Sequence, residues 1–114
     1  MATLNSAMRI VPDLLRSLAF GSISGTYAGI GTPFTYPVRI MHIYNDTDVL
    51  LTFSVDGIND YFVVPAHSFI LLDLTANHTG YGGAAYIGAG TRIYVKGSPA
   101  VGSVYLSTWY GTNG

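Results

Sequence analysis

From Val38 to Tyr110, short apolar segments alternate with Gly, Pro, Asn and Asp at nearly regular intervals. The segments are VRIMHIYN, VLLTFSV, DYFVV, SFILLDL, AAYIG, RIYVKG and SVYLSTWY. Short alternating strands separated by turn residues are typical of antiparallel sandwiches and barrels. We therefore predict an all-β fold, an antiparallel, jelly-roll-like β-sandwich of about 7–9 strands with an extended N-terminal arm.

The strand assignments follow from the alternation of side chains. Residues 38–44 carry apolar side chains on both faces, which predicts a central strand. The next four residues, Asn45-Asp46-Thr47-Asp48, favour a turn, and Asp56-Gly57 is a strong reversal signal. Tyr61–Val64 is expected to return antiparallel, and Ser68–Leu74 forms a further strand.

The first 36 residues differ from the rest because they are rich in Gly, Ser, Thr and aromatic residues. A helical turn is expected at Asp13–Leu18. Two interpretations of the remainder stay open: edge strands at Ala19–Ile23 and Thr26–Ile30, or an arm that reaches a neighbouring subunit. We divide the chain into an N-terminal arm or set of edge strands, residues 1–36, and a β-sandwich domain, residues 37–114.

Charged residues are sparse, at 10% of the chain. Glu and Gln are absent, Lys96 is the only lysine, and the chain contains 14 Gly and nine Tyr. A surface of this composition is covered by Ser, Thr, Tyr, Gly and apolar side chains, which is unusual for a freely diffusing monomer. We therefore expect much of the surface to contact another protein.

The charge pattern also limits the classes of partner. A net charge of −1 with dispersed cations offers no basic stripe for nucleic acid. No segment approaches the roughly 20 apolar residues of a membrane span. Polar residues interrupt the apolar run near the N-terminus, so we expect no signal peptide and a chain that stays in the cytoplasm.

No sequence motif indicates catalysis or a cofactor. The three histidines, His42, His67 and His78, lie in different segments without a metal-ligand spacing, and GSISG has Ile23 where a nucleophilic serine is required. Asp73 is an acid within an apolar strand, and its simplest role is to cap a turn or pair with a cation. We expect no enzyme activity, no catalytic residue and no cofactor.

A calcium site is the remaining metal hypothesis. The residues Asp46, Asp48, Asp56, Asn59 and Asp60 lie in two turns that a sandwich could place at one end. There is no Glu to supply a bidentate ligand, and Asp and Asn are ordinary turn formers. We interpret these residues as turn residues and predict no metal site.

Aromatic residues and the loop at residues 75–83 are the candidate contact sites. Aromatic side chains are enriched at protein interfaces, although they could also stack on sugar rings. The predicted protein-interface residues are Phe20, Tyr27, Phe34, Tyr36, Asn77, His78, Tyr81, Trp109 and Tyr110.

Two stretches resemble small β-sandwich virion proteins of tailed bacteriophages, of the capsid decoration or cement type. They are RIMHIYNDTDVLLTFSVDGINDYFVVPAHSFILLDLTAN and YIGAGTRIYVKGSPAVGSVYLSTWY. The elements that carry the resemblance are a strand ending in NDTD, a hairpin with Asp-Gly, a Pro-Ala-His-Ser turn and a final aromatic strand. The resemblance runs from Val38 to the C-terminus and does not include residues 1–36.

The resemblance implies a non-enzymatic structural protein that binds between capsomers and stabilises the phage head. Its partners would be the major capsid protein or another virion protein and further copies of itself, with a trimer favoured. Its location would be the virion, assembled in the host cytoplasm. Two alternatives stay open: a head-to-tail neck or tail structural protein, and a carbohydrate-binding β-sandwich module.

Overall fold

The computed structural model describes residues 8–75 and 86–113. These residues form nine strands and a single 3-10 turn at Phe20–Ser22. The strands are β1 (Met8–Pro12), β2 (Arg16–Ala19), β3 (Ala28–Gly29), β4 (Val38–Thr47), β5 (Leu51–Ser54), β6 (Phe62–Val64), β7 (Ser68–Asp73), β8 (Tyr94–Lys96) and β9 (Gly102–Asn113). Among the described residues, the helical structure lacks the length and hydrophobicity that a membrane-spanning helix needs.

The strands form two antiparallel sheets with jelly-roll connectivity. In the five-stranded sheet, β1 and β2 both pair with β9, which pairs with β4, and β4 pairs with β7. In the four-stranded sheet the order is β3-β8-β5-β6. The pairs β2 with β9, β3 with β8, β4 with β7 and β5 with β6 describe one long hairpin rolled into two layers. The predicted sandwich is confirmed, and β4 is central as expected.

The core lies between the two sheets and follows from side-chain alternation. Met41 and Ile43 on β4 face Leu51 and Phe53 on β5, and the intervening residues point outward. The buried apolar residues are Ile23, Ile30, Phe34, Val38, Met41, Ile43, Leu51, Phe53, Val64, Ile93, Val95, Val104 and Leu106. This single core includes residues from both sides of the predicted boundary at residue 36.

The N-terminal segment is part of the sandwich. Arg16, predicted to lie in a helical turn, instead begins strand β2, so the helical prediction is wrong. The observed strands β1, β2 and β3 lie at sheet edges, and Ile30 is fully buried. Strand β3 falls within the predicted edge strand Thr26–Ile30, whereas β2 ends at Ala19, where the other edge strand was predicted to begin. The three strands of this segment therefore pair with strands of the same chain, as the edge-strand interpretation requires.

Asn45 and Thr47 do not form the predicted turn, because β4 continues through Thr47. Both side chains are fully buried. The Asn45 amide nitrogen donates to the carbonyls of Val49 at 2.8 Å, Val64 at 2.9 Å and Pro65 at 3.2 Å. Its oxygen accepts from the Thr47 amide at 3.0 Å and hydroxyl at 2.6 Å. Asn45 thus joins the five-stranded sheet to the end of the other sheet.

The predicted reversal at Asp56-Gly57 is confirmed. One Asp56 oxygen accepts from the backbone N–H groups of Ile58 at 2.8 Å and Asn59 at 2.9 Å, and from the Ser54 hydroxyl at 2.7 Å. Gly57 has a φ of 75°, which favours glycine. The hydrogen bonds from Asn59, Ile58 and Ser54 hold the pKa of Asp56 well below its usual range.

Two other predicted elements differ in extent. The strand predicted in RIYVKG is shorter, at Tyr94–Lys96. Of the predicted strand in AAYIG, residues 84–85 lie outside the described part, and Ile87 makes a single antiparallel bridge with Val38.

Gly102 begins β9 with a φ of 94°, and a Cβ there would collide with the Asp46 carbonyl. Only glycine therefore fits that position.

We predict that Asn45→Ala lowers the free energy of unfolding by about 3 kcal/mol. The substitution leaves buried carbonyl and N–H groups without partners, and each such group costs about 1–3 kcal/mol. Urea denaturation of the two proteins measures the difference. Asn59→Ala, at an exposed turn position, is the matched control and should change the free energy by about 0.5 kcal/mol. Equal effects at the two positions would contradict the role of Asn45.

We predict that Asp56→Asn makes the protein less stable at pH 7, and that the deficit shrinks as the pH falls below about 4. Because the folded pKa of Asp56 is depressed, its contribution is present above the unfolded pKa of about 3.9 and is lost as the pH falls further. Denaturation curves of both proteins from pH 7 to about pH 2 measure the gap. A gap that stays constant with pH would refute this assignment.

Candidate interaction surface

The outward side of the five-stranded sheet carries a group of aromatic and apolar side chains, which we call the aromatic face. Strand register places Tyr44 on β4 between Tyr105 on β9 and Phe69 on β7. Two residues along β4, His42 lies beside Leu71 by the same register. The aromatic face consists of Ile40, His42, Tyr44, Phe69, Leu71, Tyr105 and Trp109.

Several of these side chains contact each other across the strands. The His42 and Phe69 rings lie 5.0 Å apart between centroids, and the Tyr44 and Tyr105 rings lie 6.4 Å apart. Phe69 is 59% exposed and Leu71 is 57% exposed, although both belong to a regular strand. Contacts between neighbouring strands therefore only partly cover this apolar surface.

The aromatic face has few charges, and they lie at its margins. Among the described strand positions on this side, Asp46 and Asp73 are carboxylates and none is Lys or Arg. The Asp46 charge raises the pKa of Tyr44, whose hydroxyl donates to that carboxylate at 3.3 Å. His67 lies 3.3 Å from the same carboxylate. The centre of the face is therefore uncharged and suits an apolar or polar neutral partner.

Asp73 caps the turn at the end of β7, which confirms that expectation. Its carboxylate accepts hydrogen bonds from the Thr75 backbone N–H at 2.9 Å and from the Thr75 hydroxyl at 2.6 Å. These hydrogen bonds, that of the hydroxyl first, lower the pKa of Asp73. The carboxylate therefore has a local structural role at the end of β7.

The outward side of the four-stranded sheet has a different character, because its cations contact a carboxylate or aromatic rings of the same chain. Lys96 lies 3.0 Å from Asp60 and over the Tyr27 ring, 4.7 Å from its centroid. The Tyr27 hydroxyl donates to Asp60 at 2.6 Å, and partial burial together with this bond raises the pKa of Tyr27 to about 12. Arg92 lies over the Tyr94 ring. Charge and hydrogen bonding thus stabilise this side internally.

The predicted interface residues do not form one site. Trp109 belongs to the aromatic face, whereas Tyr36 and Tyr110 form a stacked pair elsewhere, with ring centroids 4.0 Å apart. Phe20 lies in the 3-10 turn and is 42% exposed. Tyr27 lies with Lys96 and Asp60, as described above. Asn77, His78 and Tyr81, with most of the predicted 75–83 loop, lie outside the described residues.

Phe34 is a core residue, which corrects its assignment to the interface. It is 2% exposed, and the Arg16 guanidinium lies 5.0 Å from its ring centroid. Arg16 is itself buried and donates to the carbonyls of Thr32 at 2.8 Å and Pro33 at 3.3 Å. Phe34 therefore packs against Arg16 of β2 and holds this strand to the Gly- and Thr-rich loop that precedes β4.

A shallow cleft of about 320 Å³ lies beside this arginine, lined by residues 13–17 with Gly31, Thr32 and Thr35. Its charged groups, Asp13 and Arg16, pair with each other at 3.5 Å.

Within residues 8–75 and 86–113, no group of three His or Asp side chains is placed to hold a metal ion. The carboxylate of Asp56 is already used by its own turn.

Sequence reasoning missed most of the aromatic face. The sequence contained a signal for an outward apolar face. Residues 38–44 are apolar on both faces of their strand, and Phe69 and Leu71, two positions apart, share one face of theirs. Alternation alone does not show whether an outward apolar face is covered by another layer. The sheet order adds this information, since it places these residues side by side on the outer surface.

Comparisons with protein-family models, with curated proteins and with solved structures found no match to this chain.

Proposed function

We propose that this chain is a non-enzymatic structural protein of a tailed-phage virion, specifically a capsid decoration protein. It attaches to the major capsid protein through the aromatic face. The observation that carries the proposal is the set of exposed apolar side chains on a regular sheet, with Phe69 and Leu71 each more than half exposed. Exposed apolar patches of this kind mark interaction sites in soluble proteins.

The outward side of the five-stranded sheet, with the aromatic face at its centre, is large enough for one side of a specific interface. At about 3.4 Å per residue along a strand and about 4.8 Å between strands, the five-stranded sheet covers on the order of 600 Å². One side of a standard interface buries about 800 Å² of accessible surface. Accessible surface follows every side chain, so a patch has a larger accessible area than its flat outline. Tyr and Trp are the residues that most often dominate binding energy at such interfaces.

The fold agrees with this proposal without deciding it. Jelly rolls occur in viral capsid proteins and in lectins, so the architecture fits both the virion proposal and the carbohydrate-binding alternative. A specific observation keeps the second candidate open: the Tyr44 and Tyr105 rings lie nearly parallel, with 23° between their planes. Their arrangement could stack on a sugar, but their position within a broad apolar surface favours a protein partner.

The first test is the copy number of this chain in purified particles of its source phage. Quantitative mass spectrometry should find it near stoichiometric with the major capsid protein, since a decoration protein occupies repeated lattice positions. A copy number near that of a single ring would move the proposal to a neck or tail protein. Absence from the particle would overturn the virion proposal and put the carbohydrate-binding alternative first.

The second test examines the aromatic face directly. Tyr105→Ser should weaken binding to capsids that lack the protein by about tenfold or more, because it removes a central aromatic contact. Co-sedimentation with capsids measures the affinity. Tyr94→Ser, at a half-buried tyrosine on the outward side of the other sheet, is the matched control and should leave binding unchanged. Denaturation curves must show both variants folded, and equal binding by both would refute a role for the face.

A further inference from the structure

Strand β7 is an edge of the five-stranded sheet, and it differs from the other sheet edges. Edge strands present unpaired N–H and C=O groups, and proteins commonly protect them with short length, Pro, Lys or interruptions. The edges β3 and β6 are two and three residues long. The β1–β2 edge is interrupted between Pro12 and Arg16. By contrast, β7 runs for six residues, SFILLD, without Pro, Gly, Lys or Arg.

The backbone groups of β7 that point to the open edge can be assigned from its pairing with β4. The Leu74 N–H donates to the Arg39 carbonyl at 2.8 Å, so Leu74 directs its backbone groups toward β4. Alternate residues along an antiparallel strand direct these groups to opposite edges. Those of Phe69, Leu71 and Asp73 therefore point away from β4, where none of the described strands pairs with them.

We propose that a second copy of this chain pairs its own β7 with this edge, antiparallel, about a twofold axis at Ile70. The two five-stranded sheets then become one continuous sheet. Phe69 of each copy lies opposite the partner's Leu71, and these pairs exchange backbone hydrogen bonds through the groups that point outward. Ile70 lies opposite the partner's Ile70 on the inner side. The occupant is a second copy because β7 is complementary to itself in this register.

Charge and side-chain chemistry favour a twofold axis at Ile70 over the neighbouring register, in which the axis lies at Leu71. A twofold axis at Ile70 brings Asp73 of one copy to the end of the strand where the partner's His67 lies. His67 is exposed and already lies beside a carboxylate on the same side of the sheet. A twofold axis at Leu71 would instead place Phe69 opposite the partner's Asp73, which pairs an apolar ring with a carboxylate. Cross-strand apolar pairs are the more favourable arrangement.

The proposed contact does not depend on the virion proposal, because it concerns only two copies of this chain. It is twofold and therefore differs from the trimer that the resemblance favours. It also joins the aromatic faces of two copies side by side, since Phe69 and Leu71 belong both to this face and to the open edge.

Analytical ultracentrifugation of the full chain across a range of concentrations tests the proposal. The wild-type protein should sediment as a dimer, and Leu71→Lys should raise the dimer dissociation constant about tenfold, because both copies lose an apolar pair. Val63→Lys, on the short edge strand of the other sheet and similarly exposed, should leave the dimer intact. A wild-type monomer at all concentrations, or equal effects of the two lysines, would overturn the proposal.

Disulfide trapping tests the register in the cysteine-free chain. Phe69→Cys and Leu71→Cys should each remain monomeric on non-reducing gels when oxidised alone. An equimolar mixture should form a cross-linked heterodimer, because residue 69 of one copy faces residue 71 of the other. Cross-linking of Leu71→Cys with itself would show the neighbouring register, and no cross-link in the mixture would refute the pairing.

Discussion

The two-layered structure depends on one buried amide, that of Asn45. A fully buried amide must have its hydrogen bonds satisfied, since each unmade bond costs a large fraction of the stability of a small domain. Asn45 meets this condition by donating to carbonyls of the β4–β5 connection and of the end of β6, Val49 and Val64. One side chain on the central strand thus sets where the four-stranded sheet ends relative to the five-stranded sheet.

In the N-terminal segment, Arg16 is a second buried polar side chain whose hydrogen bonds are satisfied by backbone carbonyls. Its buried guanidinium donates to the carbonyls of Thr32 and Pro33 and packs over Phe34, so β2 and the loop before β4 are held together. A chain with few charged residues uses this one to fasten a Gly- and Thr-rich segment that has little apolar surface of its own. The segment is therefore an integral part of the sandwich.

Much of the fold could be predicted from the alternation of apolar residues, whereas the polar residues were harder to interpret. The central strand, the Asp56-Gly57 reversal and the sandwich architecture follow from local patterns. Asn45 and Thr47 were predicted as turn residues because Asn and Thr near Asp usually favour turns, and a single sequence does not show that their hydrogen bonds are made inside the core. The aromatic face was missed for a related reason, since exposure depends on sheet order.

The rolled-hairpin topology has a consequence for how the chain folds. The β5–β6 pair closes the shortest loop, and the pairs β4–β7, β3–β8 and β2–β9 enclose progressively longer ones. Closing longer loops costs more chain entropy, so the expected order of folding runs outward from the β5–β6 hairpin, and the many long-range pairings make folding slow. The aromatic face includes residues of β9, which follows the other eight described strands along the chain. A nascent chain therefore cannot present the complete face until β9 has been made, so assembly through this face can begin only after all nine described strands have been synthesised.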